Sequence, residues 1–276
     1  MLTESKIKFS SVLFIVTIVL YMMNILGILL SVILNSISKN WFSGWFPKIF
    51  TLEWYEYISK EHQIGNLLFV TFLVVGAVIL FSLIIGIPAA YVLARYNFPL
   101  KNFFTTLFLL PMLLPPMTYG IPLAAMLYRM RLATRVSGVI LANLVPIVPF
   151  VILLLIPYIE QIDINIESAA KVVGANRWQI FSRIVIPLIT PGMLTAIILS
   201  AVKTIAMFDL TFLVASEKSQ TIVVALFSDA FAAGVRPHQA VDALAVIYFL
   251  ITVSLLIIAL RFVSPTQMVF RLDSKK

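Results

Sequence analysis

Glu167–Pro187, ESAAKVVGANRWQIFSRIVIP, is a polar segment set inside a very apolar chain. A membrane protein has little reason to keep such a stretch unless something docks on it. Upstream, Glu160 and Asp163 follow Pro157, which is read as the end of an apolar run. Asn165 can cap a short helix, and Glu167 then lies near its positive end. Ala169, Ala170 and Val173 fall at one-face spacing, and small side chains there let another surface approach closely. Gly174 stops this helix, as glycine does after a last turn. Asn176 can cap a second helix with Trp178, Phe181 and Ile184 on one side, while Arg177 and Arg183 stay polar. Pro187 is read as opening the next apolar run, where a first-turn proline costs little. The expected product is a helix-turn-helix.

The surrounding chain explains why this segment stands out. Of its 276 residues 61% are hydrophobic and 12% charged, with a mean hydropathy of +1.05, whereas a soluble domain carries about a quarter charged residues. A spanning helix needs about 20 apolar residues. Six windows qualify: 10–34, 64–92, 104–128, 136–158, 188–215 and 241–263. They are too long for barrel strands and lack period-two alternation, so the expected fold is all-α, a polytopic bundle of six transmembrane helices. It is read as one transmembrane domain, 1–276, with the loop at 159–187 between the fourth and fifth spans. The run at 9–34 is too long for a signal-peptide core and is expected to stay as an anchor.

With no cysteine, disulfides and thiolate metal sites are excluded. His62 and His238 lie far apart and are read as loop residues. The net charge of +8 is explained by basic residues flanking spans, without invoking nucleic acid. Lys and Arg lean only slightly toward cytoplasmic termini, and the Arg129, Arg131, Arg135 cluster argues the other way. The first loop holds Trp41, Phe42, Trp45, Phe46, Trp54, Tyr55 and Tyr57. These fit a headgroup-level belt in membrane lipid, or a contact surface for an external partner. In the third span Pro111, Pro115, Pro116 and Pro122 each remove a helix donor. That span should be broken and packed inside the bundle near the pathway.

The loop resembles the EAA loop of permease subunits in binding-protein-dependent type I ABC importers. That family's pattern is Glu-Ala-Ala, three residues, Gly, nine residues, then Ile-x-Leu-Pro. Ala169, Ala170 and Gly174 match; Ile184, Ile186 and Pro187 close the pattern at the right spacing, with Ile186 standing for Leu. Ser168 stands where the family often has Glu, with Glu167 one residue early. A serine there can cap or hydrogen-bond. IPAAYVLAR (87–95) and LLPMLLPP (109–116) resemble two further family segments, so the likeness covers about 65–263. FTLEWYEYI and ALRFVSPTQMVFRL look similar to permeases for polyamines, opines and aminophosphonates.

This resemblance implies a multi-pass protein of the bacterial plasma (inner) membrane with both termini cytoplasmic. It implies partners: an ATP-binding cassette ATPase dimer holding ATP and Mg, a second permease expected to differ from this chain, and an extracytoplasmic substrate-binding protein. The coupling residues would be Glu167, Ser168, Ala169, Ala170, Gly174, Arg177, Ile184 and Pro187. A polar or cationic organic solute such as a polyamine is the expected cargo. The chain itself has no G-x-x-x-x-G-K-[ST] loop, so no nucleotide cofactor is expected on it and it is read as no enzyme.

Lys203 and Asp209 fall in the fifth span, where an ionisable residue is costly and points to function. On a continuous helix they would lie about 240° apart. Asp209 beside Phe208 and Phe212, with Tyr119 of the third span, forms the candidate substrate pathway, suited to a cation by charge and ring faces. The alternative is that both charges sit near the interface, snorkelling or paired. A proton- or ion-coupled secondary transporter is the rival class, but its usual repeated halves are not evident. A membrane enzyme lacks support: no metal-ligand cluster, no Ser/His/Asp arrangement and no paired carboxylates in a span.

Overall fold

A computed structural model describes residues 2–39, 41, 44, 46–231 and 236–262. Its elements are helices α1 (Leu2–Ser36), α2 (Glu53–Glu61), α3 (Ile64–Arg95), α4 (Lys101–Leu113), α5 (Pro116–Arg129), α6 (Val136–Glu160) and α7 (Ile164–Val172). There follow α8 (Arg177–Leu188), α9 (Thr190–Ile205), α10 (Asp209–Val214), α11 (Ile222–Phe231) and α12 (His238–Phe262). Among the described residues the only β pairing is an isolated Ser38–Phe50 bridge. The all-helical reading therefore holds. Four helices are long and apolar enough to cross a membrane: Ser11–Ser36, Ile64–Arg95, Val136–Glu160 and His238–Ile258. Two bent pairs, α4 with α5 and α8 with α9, bring the number to six if each is one span.

The chain forms two compact units. One contains Met1–Ile64 and Ser228–Phe249. Here Trp54 Nε1 donates to the Ser38 carbonyl at 2.7 Å, and Ser36 Oγ lies 2.9 Å from Tyr55 OH. Trp54 and Tyr55 of the aromatic loop are thus tied to the end of α1. Phe46 is exposed; Phe42 and Trp45 lie outside the described residues, as does the segment from Val263 onward. His62 lies in the turn after α2, as expected of a loop residue, but its side chain is buried in an ion cluster: its Nε2 meets Asp229 Oδ2, and Arg236 Nε donates to Asp229 Oδ1 at 2.8 Å. A polar ring can be buried there because its Nε2 has the Asp229 carboxylate as partner, and Arg236 in turn pairs with that carboxylate.

The second unit contains Gly65–Phe227 and Leu250–Lys276. Its centre is α6, whose spanning window is 50% buried against 33% for α3. Val139, Ile147, Val151, Ile152, Leu155 and Ile159 of α6 meet Val74, Val78 and Ala90 of α3 and Ala196 of α9. In lipid such packing is driven by close van der Waals fit, with small residues at the contacts. A Cβ on Gly86 would meet Val151 at 2.8 Å, and one on Gly192 would meet the Tyr158 ring at 2.6 Å. These glycines set how closely α3 and α9 approach α6.

Three proline expectations sort differently. The third span breaks by 99° between α4 and α5. Leu114 and Pro115, each preceding a proline, are extended (ψ 142 and 132), and Pro116 starts α5 at its first turn. A residue before proline is pushed out of the helical region, so the tandem prolines make the break. Pro111 and Pro122 stay within helices. The span is only half enclosed: α5 buries Gly120, Ala124 and Leu127, while α4 buries none of its residues in this chain. Pro157 does not end the fourth span, because α6 runs on to Glu160 through Pro146, Pro149 and Pro157. Packed neighbours let a membrane helix tolerate the lost donors.

Candidate functional site

The polar loop folds as two short helices, α7 and α8, and its caps explain both ends. The N-cap of α7 is Asp163, whose side chain accepts from the Asn165 backbone N–H at 2.9 Å. Asn165 is therefore inside the first turn and is not the cap expected from sequence; an aspartate two residues earlier reaches the free N–H first. At the other end Gly174 N–H donates to Lys171 O and Ala175 N–H to Ala170 O, both at 3.0 Å. That is a Schellman closure, and Gly174 supplies its left-handed residue at φ +91. Asn176 and Gln179 then exchange side-chain and backbone bonds, each 2.8 Å, in a capping box that starts α8.

Along α8 the turn Phe181–Val185 is π-helical. The wider turn shifts the register, so the fully buried face is Ile180 and Val185, while Phe181 and Ile184 are half-buried and Trp178 is 70% exposed. Pro187 lies inside this helix rather than opening the fifth span. The chain turns by 68° between α8 and α9, and Pro191 takes the first-turn position of α9.

The loop residues divide by exposure. Ser168, Ala169, Gly174, Arg177 and Pro187 are exposed, Ala170 and Ile184 are half-buried, and Glu167 is buried. Val172 and Val173 are each 89% exposed. Together with Trp178 they make an apolar patch beside Gly174 that the other described residues leave open, the mark of an interaction surface. Between the two helices runs a groove of about 380 Å³ lined by Ala170, Val173, Gly174, Gln179, Arg183 and Ile184.

Glu167 has a role that the sequence reading missed. Its two carboxylate oxygens accept from Arg95 Nε at 2.7 Å and Tyr91 OH at 2.8 Å. Arg95 Nη2 also donates to the Ile162 carbonyl at 2.7 Å. Glu167 is thus not merely placed near a helix dipole; it is ion-paired to the end of α3. Ser168 Oγ bonds only back to Ile164 O within α7, at 3.0 Å. The carboxylate link therefore comes from the residue before the family's usual glutamate position. The available signal was the Tyr91–Arg95 pair four residues apart, hence on one helix face.

The candidate pathway residues come from the same unit. Phe208 stacks on Phe212 at 5.1 Å between centroids, and Phe227 completes the cluster at 4.4 and 5.5 Å. Asp209 is half-buried in the first turn of α10. The helix stops at Ala206 and restarts at Asp209, so the 240° separation from Lys203 does not apply. Lys203 is exposed, with its ammonium 4.7 Å from the Phe150 ring centroid. Tyr119 OH is buried with no hydrogen-bond partner among the described residues. Sequence reading also missed Asn143, a lone amide in an apolar span, whose Nδ2 donates to Thr211 Oγ1 at 3.0 Å. No group of three or more His, Asp or Glu able to hold a metal occurs among the described residues.

Apolar helices long enough to cross a membrane and a capped two-helix loop with an exposed apolar face define the class as a multi-pass membrane protein. The chain belongs to the family described as "Binding-protein-dependent transport system inner membrane component", whose profile matches residues 82–266. It is 33% identical over 165 residues to the molybdenum transport system permease protein ModB of Haemophilus influenzae, covering 54% of this chain and 72% of that protein. It is 25% identical over 178 residues to the sulfate transport system permease protein CysT of Escherichia coli, covering 59% and 64%. A bacterial ABC transporter involved in the import of the acidic polysaccharide alginate matches at a TM-score of 0.79 and 18% identity, covering 93% of this chain and 97% of that one. The chain is therefore a multi-pass permease subunit of a binding-protein-dependent importer. The polyamine-type resemblance finds no support in these likenesses.

Proposed function

We propose that this subunit forms the substrate pathway with a second permease and receives a separate ATPase dimer on the Val172–Trp178 face, with both chain termini on the ATPase side. The observation that carries this reading is the exposed apolar patch around Gly174 on a loop that is otherwise fully capped. ATP and Mg belong to the partner. On ATP binding the dimer closes, shifts the α7–α8 pair and switches the bundle between its two faces, while an external binding protein delivers the cargo. The molybdenum, sulfate and alginate transporters among its likenesses favour an anionic cargo over a polyamine.

The test is uptake in vesicles of the companion binding protein's ligand. Uptake should stop without ATP and survive collapse of the proton gradient. The opposite pattern would fit the ion-coupled class and remove the ATPase assignment. Gly174→Trp should block uptake, because a non-glycine residue at φ +91 is strained and the bulk falls on the docking face. We further place Asp209, Phe208, Phe212 and Tyr119 along the pathway. Unchanged uptake kinetics in Asp209→Asn would take Asp209 out of it.

A further inference from the structure

Both arms of the docking loop end on one turn of α3. The α7 arm is held by Glu167, whose two oxygens are taken separately by Tyr91 OH and Arg95 Nε. The connection entering that arm is held by the same arginine through the Ile162 carbonyl. The α8 arm is held by Phe181, whose ring lies 5.3 Å from the Tyr91 ring. Tyr91 therefore touches α7 with its hydroxyl and α8 with its ring face. The ion pair is shielded from water, with side chains 10% and 4% exposed for Arg95 and Glu167. A buried arginine joined to a carboxylate by one charge-assisted bond, with Tyr91 OH on the other oxygen, defines a geometry as well as an attraction.

We propose that the Tyr91–Arg95 turn is a clamp that makes the end of α3 move with the docking loop, so that Tyr91, Arg95 and Glu167 are positioning residues for coupling. This deepens the permease reading and rests on it. Glu167 faces inward, so the ATPase meets the valines and Trp178, and the carboxylate carries that push into the bundle. Pro88 sits one turn before Tyr91 inside α3. It has no N–H to give Ile84 O, so the clamped turn is joined to the rest of α3 by one backbone bond fewer. Movement of the loop can then tilt the last turn of α3 without unfolding the helix.

The experiment is hydrogen exchange on the full transporter complex, nucleotide-free and trapped with ATP and vanadate, comparing peptides covering 162–180 and 86–95. In the wild type both should change protection on trapping. In Glu167→Gln the loop peptide should still respond, while the response at 86–95 is lost. Arg95→Lys, which keeps the charge but cannot reach both Glu167 and Ile162 O, should restore only part of a response absent in Arg95→Gln. A full response at 86–95 in both Glu167→Gln and Arg95→Gln overturns the clamp. Should those variants fail to assemble, Tyr91→Phe and Phe181→Leu each loosen one arm, and a full response in both overturns it equally. A wild type that binds no ATPase overturns the permease reading itself, and the clamp with it.

Discussion

Helix α9 has a break at each end, and the two are built differently. At its start the chain turns by 68° into α8, beside a loop held by a buried ion pair between Arg95 and Glu167. At its end the chain breaks at Ala206–Phe208 before α10, which is held by a neutral Asn143–Thr211 hydrogen bond and a cluster of phenylalanine rings. The loop leading into the first break is held by directed charge and carries an exposed face. The second is fixed by weak polar contacts and ring packing. A break that must pass on force benefits from stiff, directional bonds. Under the pathway assignment proposed above, the second break gains from contacts that can exchange partners at little cost.

The comparison is sharpest at Arg95. Arg95→Ala would leave Glu167 buried and unpaired, a loss of about 3–5 kcal/mol, seen as a lowered unfolding midpoint of the purified protein. A midpoint within error of wild type would mean that the first break is no stiffer than the second. Next come the glycines at the two breaks. A Cβ on Gly192 meets the Tyr158 ring at 2.6 to 2.9 Å, where a rigid ring must shift, so Gly192→Ala should cost about 1–3 kcal/mol. A Cβ on Gly120 of α5 meets the methyl ends of Leu210 at 2.7 Å and Leu213 at 3.0 Å, both flexible tips that give more readily than a ring. Gly120→Ala should therefore cost less, and the reverse order would break the comparison.

Asn143→Leu removes the neutral link at the second break. Interhelical hydrogen bonds of this kind average about 0.6 kcal/mol, so denaturation in mild detergent should shift only modestly. A loss as large as that of Arg95→Ala would erase the distinction. Smallest of all is Ser168→Ala. The serine is exposed and bonds only its own helix, so stability should stay within about 0.5 kcal/mol of wild type. A larger fall would show that the family's usual glutamate position holds more here than its own helix.

The loop was legible because its signals are local. Gly174, Asn176 and the closing Ile-x-Ile-Pro act over a few residues, and the capping box and Schellman closure follow from them. The third-span break was legible for the same reason, since consecutive prolines at 115 and 116 force extended backbone. Other features depend on distant partners. Arg95 and Glu167 are 72 residues apart, and no periodicity links them. The break at Ala206–Phe208 has neither glycine nor proline to announce it, so only packing against α5 and α6 sets it. The α7 cap was displaced from Asn165 to Asp163 because either residue type can cap, and the choice depends on where the preceding chain turns.

The proposed role of the face around Gly174 is to receive an ATPase. Val173, 89% exposed, is the place to test it, with a photo-crosslinking benzoylphenylalanine in place of the valine and Phe72 of α3, 49% exposed, as the control. Irradiated native membranes should give an adduct at Val173 containing a nucleotide-binding cassette subunit, and none at Phe72. Absence of ATPase peptides from the Val173 adduct, or their equal presence at Phe72, would contradict the claim.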